Sequence, residues 1–320
     1  MTSDYPLISV IIPVHNREKY ITQALSSVLD EDYPNLEIVV LNDGSTDSTD
    51  NVIKGWIDAH SNIIHIIYKS RENKGVVKTL NELVELSNGE YIVFFGSDDY
   101  LKNNGITKRY EYLKNHPNKL MVIADCNLID RNDALLYEST LLSLGKVDKK
   151  YLFSDEGMKK FMILNGFTPG ATLMADKRIY QVLGKYDENL HAEDWVYYIR
   201  AVSQNLLGYL DEIVSAYRVH GKNMSFSERL ILVTKEHFQV TLRMFSEFKS
   251  IEHRYYLALK LLYLSAFIPY LIIKLHLLKS NEKYKNNKIG GFIFRSILAM
   301  FTLFKSIFNF LTDKIYDKKG

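Results

Sequence analysis

The chain has 320 residues, 47% of them apolar, and a formal charge of +2. That length suits one large domain, or one domain with an appendage, and the apolar share supplies a sizeable core. Cys126 is the single cysteine, which excludes an intrachain disulfide framework and points to a reducing compartment.

The opening MTSDYPLISV has neither the basic start nor the long apolar stretch of a secretory signal, so the body of the chain is expected in the cytoplasm. Leu7 to Ile12 (LISVII) is a β-branched apolar run ended by Pro13, which predicts a buried strand. From Glu18 to Leu29 the spacing turns helical, with Tyr20, Ile21, Ala24, Leu25 and Val28 on one side. Glu37 to Leu41 predicts a second strand, Asp47 to His60 a helix, and Ile63 to Tyr68 a third strand. Gly75 to Leu86 follows as a helix and Tyr91 to Phe95 as a fourth strand. Such alternation predicts an α/β domain with a mostly parallel sheet flanked by helices. Ligands then bind beyond the carboxyl ends of the strands. At those ends lie Pro13-Val14-His15-Asn16, Asn42-Asp43-Gly44-Ser45 and Gly96-Ser97-Asp98-Asp99. Past residue 120 the pattern is irregular. Strands are expected at Leu120–Ala124, Ala171–Met174 and Leu207–Tyr209, and helices at Asp155–Leu164 and Trp195–Gln204. This stretch reads as a second half of the same domain, so one domain is expected over 1–225, divided near residue 120, with a helical region over 226–320.

Three acidic clusters carry chemistry. In Asn42-Asp43-Gly44-Ser45-Thr46-Asp47, Gly44 permits the turn and Ser45 or Asp47 can cap the next helix. The turn is either an ordinary capped turn or a site where Asp43 accepts a hydrogen bond from a base or ribose. In Gly96-Ser97-Asp98-Asp99 two adjacent carboxylates repel unless a cation or donor compensates. Oxygen ligands of this kind suit magnesium or manganese bridging phosphates, and a helix cap is the other reading. Glu193-Asp194-Trp195 opens a helical run. It is either an acidic helix start favoured by the dipole or a general base for an acceptor hydroxyl. His220 is a candidate further metal ligand.

Together these segments resemble family 2 glycosyltransferases of the GT-A fold, of the bacterial surface-polysaccharide type. The resemblance runs through SVIIPVHNREKYITQALSSVL, EIVVLNDGSTDSTDNVI and RENKGVVKTLNELVELSNGEYIVFFGSDDYL. It continues in TPGATLMADKRIYQVLGKYDENLHAEDWVYYIRA and ends in YRVHGKNMS. Each block is weak alone, but the ordered set is specific and covers roughly residues 6–225. The resemblance implies a base pocket lined by Pro13, Asn16 and Asp43, with Gly44 in the turn and Asp43 reading the base. Arg71, Asn73 and Gly75 would lie near base and ribose. Asp98 would hold the Mn2+ or Mg2+ that bridges the diphosphate, supported by Asp99 and His220. Asp194 would be the catalytic base, with Glu193 orienting it or the acceptor. Thr168, Pro169 and Gly170 match a loop on the acceptor side, and Trp195 is either a wall of the acceptor pocket or a core aromatic. Many members carry Asp-x-Asp-Asp where this chain has Gly96, which puts a ribose or metal-water contact in question.

The implied reaction is an inverting transfer from a nucleoside diphosphate sugar to a hydroxyl of a glycan or polyprenyl-linked acceptor. UDP is the first choice of nucleotide, with dTDP and GDP fitting the same motif types. The alternatives are a non-catalytic nucleotide-sugar-binding scaffold and a processive polysaccharide synthase. The scaffold is disfavoured by the joint presence of Asp98, Asp194 and His220. The synthase is disfavoured because no Gln-x-x-Arg-Trp motif occurs.

From Leu257 onward there are 11 Lys and Arg against 3 Asp and Glu, so the tail carries about +8 and the rest about −6. Leu261–Ile273 is uncharged but interrupted by Pro269, and too short to span a bilayer. Phe292–Leu311 has a narrow small-or-polar stripe of Arg295, Ala299, Thr302, Ser306 and Asn309 on an otherwise apolar helix. That predicts peripheral contact with the inner face of the cell membrane. A helix packed on the body or in a homo-oligomer is the other reading. Nucleic acid is not expected as a partner, because the tail is too apolar.

Overall fold

The computed structural model describes residues 5–102, 104–145, 147–166, 170–190, 193–220 and 229–279. The chain divides into two compact units, Met1–Asn223 and Met224–Gly320.

The first unit opens with β1 (Ile8–Val14), α1 (Ile21–Leu29), β2 (Leu36–Asp43), α2 (Thr49–His60), β3 (His65–Arg71), α3 (Val76–Leu86) and β4 (Tyr91–Phe94). β1 and β2 are buried along almost their whole length, as strands covered on both faces must be. The α1 stripe faces inward as its spacing predicts, with Ile21, Ala24, Leu25 and Val28 buried. Pro13 lies in β1 opposite Leu41, whereas pairing with β4 stops at Ile11 opposite Phe94. Its missing N–H therefore interrupts no bond to β4.

The order β3-β2-β1-β4 is parallel throughout. Beyond it come β5 (Tyr100–Leu101), α4 (Gly105–Asn115), β6 (Met121–Ile129), β7 (Leu135–Tyr137), α5 (Thr140–Ser143) and α6 (Asp155–Leu164). They are followed by β8 (Met174–Asp176), α7 (Ile179–Leu183), α8 (Glu193–Ser203) and β9 (Leu207–Arg218). The sheet continues β4-β8-β6-β9-β5, with β7 paired to β6. β6 and β9 are parallel, while the pairs made by β8, β5 and β7 are antiparallel.

Two details differ from the periodicity. Gly170–Thr172 is a 3-10 turn, so the strand expected at Ala171–Met174 is Met174–Asp176. β9 runs on from the expected Leu207–Tyr209 to Arg218. It does so because β5 and a bulged β6 flank it. Asp125 sets that bulge: it is fully buried, and its Oδ1 accepts the Cys126 and Leu141 N–H groups at 2.8 and 3.2 Å.

In the second unit α9 (Arg229–Glu247) and α10 (Ile251–Lys279) pack against each other, and α10 continues past Pro269. Among the described residues no helix is long and apolar enough to cross a membrane. The expected helix at Phe292–Leu311 lies outside the described residues.

Candidate active site

The carboxyl ends of β1, β2 and β3 form one cluster, because the parallel register places Val14 opposite Asn42 and Asp43 opposite Arg71. Asp43 is 4% exposed. Its Oδ1 accepts from the Arg71 guanidinium and from the Lys74 N–H at 2.8 Å. Its Oδ2 accepts the Gly75 N–H at 3.0 Å. Asn73 Nδ2 donates to the Asp43 carbonyl at 2.9 Å, and His15 Nδ1 faces the same oxygen at 2.9 Å. Arg71 is held in turn by Glu82 at 2.8 Å and Thr79 at 3.0 Å.

Asn16 stitches the first two turns. Its N–H donates to Ser45 Oγ at 2.9 Å and its Oδ1 accepts the Thr46 N–H at 2.8 Å. It sits at φ 55°, a left-handed conformation that Asn tolerates better than most residues. Gly44 is at φ 68°, and a Cβ there would stand 2.6 Å from the Asn73 nitrogen. Ser48 is the α2 N-cap residue and makes no side-chain cap bond; Asp47, one residue before it, accepts the Thr49 N–H at 3.0 Å, a contact Ser45 does not make. The turn thus both holds the first residue of α2 and walls the cluster.

The second cluster follows β4. β5 pairs with β9, Tyr100 opposite Ala216, and this brings Asp98 and Asp99 against Arg218 and His220. Asp98 Oδ2 faces His220 Nε2 at 2.8 Å and accepts from Arg17 Nε at 3.0 Å. Burial by itself raises the Asp98 pKa, but the His220 hydrogen bond and the Arg17 charge outweigh it and hold the carboxyl below its ordinary range. Asp99 behaves oppositely: desolvation, then repulsion from Asp98, raise its pKa well above the ordinary range. Expected as a supporting metal ligand, Asp99 is instead turned inward, 3% exposed, with Oδ1 accepting the Arg218 N–H at 2.9 Å. Gly96 explains the room for this arrangement. A Cβ there would stand 2.6 Å from Asp99 Oδ2 and 3.3 Å from Asp98 Oδ1.

Among the described residues no group of three His, Cys, Asp or Glu is arranged to hold a metal. Asp98 and His220 nevertheless fit one as a pair. The carboxylate is held in its charged form and an imidazole nitrogen is beside it, although the Arg17 guanidinium occupies the same oxygen and would have to give way to an ion there. Magnesium and manganese sites commonly take one or two protein ligands, with water and phosphate completing the shell.

Asp194 lies at the start of α8, where its Oδ1 accepts the Trp195 N–H at 2.6 Å. The side chain is exposed to solvent, yet enough protein surrounds it that desolvation raises its pKa, opposed by backbone hydrogen bonds. Glu193 is the first residue of that helix. Trp195, placed on the acceptor side or in the core by its sequence, is 4% exposed and its Nε1 donates to the Met162 carbonyl at 2.9 Å. Gly170 begins the 3-10 turn, while Thr168 and Pro169 lie outside the described residues.

Two arginines and a tyrosine were not singled out from the motifs. Arg17 connects the clusters, donating through Nη1 to the His15 and Asn16 carbonyls at 3.1 and 3.0 Å while Nε binds Asp98. Arg218 is 1% exposed and donates to the Asp98 carbonyl at 2.7 Å and to Gln23 Oε1 at 2.7 Å. Its guanidinium lies 4.7 Å from the Tyr20 ring centre, and that ring stacks on His220. The available signal was position: a cation one residue past the first turn, and another two residues before His220.

A sequence profile for Glycosyl transferase family 2 matches residues 9–183. An uncharacterized glycosyltransferase of Rickettsia typhi is 30% identical over 217 residues, which are 67% of this chain and 64% of the relative. The match thus spans a little under two thirds of that relative's length. S. aureus TarS residues 1–349, solved with UDP-GlcNAc, aligns with a TM-score of 0.57 at 20% identity, covering 79% of this chain and 70% of TarS. The mannosyltransferase PcManGT of Pyrobaculum calidifontis, solved with GDP-Man and Mn2+, aligns with a TM-score of 0.62 at 16% identity, covering 99% of this chain and 89% of that one. These likenesses bear out the α/β GT-A fold read from the sequence, with helices at its C-terminal end. Because the family profile runs through more than half of the chain, from β1 to the end of α7, the protein belongs to glycosyl transferase family 2.

Proposed function

We propose that this protein is an inverting transferase that moves a sugar from a nucleoside diphosphate sugar, UDP being the first choice, to a hydroxyl of a glycan or polyprenyl-linked acceptor in surface-polysaccharide or glycoconjugate synthesis. The observation that carries this reading is the meeting of two clusters at the carboxyl ends of the parallel strands. One is the rigid Asp43 turn, and the other is the Asp98–His220 pair. The donors solved with structural relatives, UDP-GlcNAc with TarS and GDP-Man with PcManGT, support the donor class.

In this reading Asp43, Asn16, Asn73 and Arg71 floor the base and ribose pocket. Asp98 and His220 would hold Mn2+ or Mg2+, whose charge would supply stabilisation of the leaving diphosphate. Arg218 and Asp99 position Asp98 through its carbonyl and the neighbouring backbone. Asp194 takes the acceptor proton while the hydroxyl attacks the anomeric carbon opposite the leaving group, so the configuration inverts. Its raised pKa suits a base, since proton transfer is best driven by a pKa nearer the working pH.

The test is a panel of UDP-, dTDP- and GDP-sugars with manganese, read by thermal shift and nucleotide release. One donor class should stabilise the protein and release its nucleotide. Asp194→Asn should cut transfer by about a thousand-fold while donor affinity stays within about two-fold. Equal responses to all donors would defeat the donor assignment, and lost donor affinity in the asparagine variant would move Asp194 into the donor site.

A further inference from the structure

The Asp98 carboxylate presents one oxygen, Oδ2, to two side chains at once. His220 Nε2 lies 2.8 Å from it and Arg17 Nε donates to it at 3.0 Å. The pair is largely withdrawn from water, with Arg17 and Asp98 side chains 22% and 16% exposed. An ion bound between Asp98 and His220 would take the same oxygen. Two cations sharing one carboxylate oxygen in a partly buried setting repel each other strongly. We propose that Arg17 is a built-in competitor of the divalent cation at Asp98, and that its displacement couples arrival of the ion to capture of the diphosphate. This rests on the transferase reading above and adds a role for a residue outside the three acidic clusters.

The coupling follows from where Arg17 is rooted. Its N–H donates to Thr49 Oγ1 at 2.8 Å, which fixes its backbone to the start of α2. Its Nη1 binds the His15 and Asn16 carbonyls in the turn that also contacts the Asp43 segment. An ion at Asp98 would displace only the Nε contact and would leave Nη1 on the His15 and Asn16 carbonyls. A diphosphate arriving with the ion would offer the freed Nε a new anionic partner. A guanidinium fork matches paired phosphate oxygens in geometry as well as charge. The ion alone must remove Arg17 with nothing to receive it, whereas ion and nucleotide together supply the exchange. The two ligands therefore bind cooperatively, each tightening the other by the same factor.

The experiment is a Mn2+ titration of the full chain, followed by the electron paramagnetic resonance of free manganese, with and without saturating UDP. The wild type is compared with Arg17→Lys, Arg17→Gln and Asp98→Asn. Without UDP, Mn2+ affinity should rise in the order wild type, Arg17→Lys, Arg17→Gln, with the last about ten-fold tighter than the first. UDP should tighten Mn2+ binding in the wild type and do so less in Arg17→Gln, and Asp98→Asn should lose binding in both conditions. Either Arg17 variant alone decides the matter, so misfolding of one, seen by circular dichroism, leaves the other as the test. A folded variant that binds Mn2+ no more tightly than the wild type overturns the competitor role. So does an absence of Mn2+ binding in every chain. UDP binding measured separately in EDTA then shows whether the donor reading survives that result.

Discussion

Glu31 follows α1, is 8% exposed, and accepts the Ile106 N–H at 3.0 Å through Oε2. Its Oε1 has no partner among the described residues. Desolvation raises its pKa from 4.5 to about 7, and neither the Ile106 hydrogen bond nor the charge of Arg109 reverses this. An acid whose folded pKa is raised holds its proton longer in the native state than in the unfolded chain. Its contribution is most favourable below pH 4.5 and is lost as pH rises through about 7. Denaturant melts should therefore show this site costing about 2–3 kcal/mol between pH 5 and pH 8. Glu31→Gln should flatten that loss, and an unchanged pH profile would mean that Glu31 titrates normally. Residue types alone do not reveal such a site, because Glu31 belongs to a polar stretch of sequence, Asp30-Glu31-Asp32. Only the packing of α4 over it removes the water.

Among the elements, α3 does more than cover the sheet. Asn81, 6% exposed, receives the Tyr186 N–H on its Oδ1 at 3.0 Å and donates through Nδ2 to the Tyr186 carbonyl at 3.0 Å and to Glu188 Oε1 at 3.2 Å. This clamp fixes the segment that leads toward α8 and Asp194. Asn81→Ala leaves two backbone groups without partners, so unfolding free energy should fall by about 2–3 kcal/mol. Transfer should fall with it while nucleotide binding persists, and a variant as active and stable as wild type would remove the clamp from the account. The α3 helix itself was legible from its spacing. The α4 helix was not, since it starts at Asn104-Gly105 and its sequence GITKRYEYLKN mixes charge into every turn. β5 was not legible either, because two residues carry no period.

For the whole molecule, the basic tail poses the remaining question of place. Peripheral membrane contact is a proposal resting on the charge excess beyond Leu257 and the apolar Phe292–Leu311 segment. The full chain should float with vesicles containing anionic lipid, more weakly as salt rises, and a chain ending at Lys279 should not. Equal flotation of both would place the contact elsewhere, and failure of both would favour the packed-helix reading.

By itself the sequence determined the parallel half of the sheet, the turns at its carboxyl ends and the family to which the chain belongs. These follow from period, β-branched runs and punctuation, all of which are local. The tertiary structure alone decided the inward turn of Asp99, the burial of Trp195 and the Arg17–Asp98 contact. Each depends on segments far apart in the chain, Arg17 and Asp98 being 81 residues apart and Asp99 and Arg218 being 119. Local pattern carries no information about which of several charged residues a distant carboxylate will meet. That choice is made by strand order and burial, once β5 has been laid against β9.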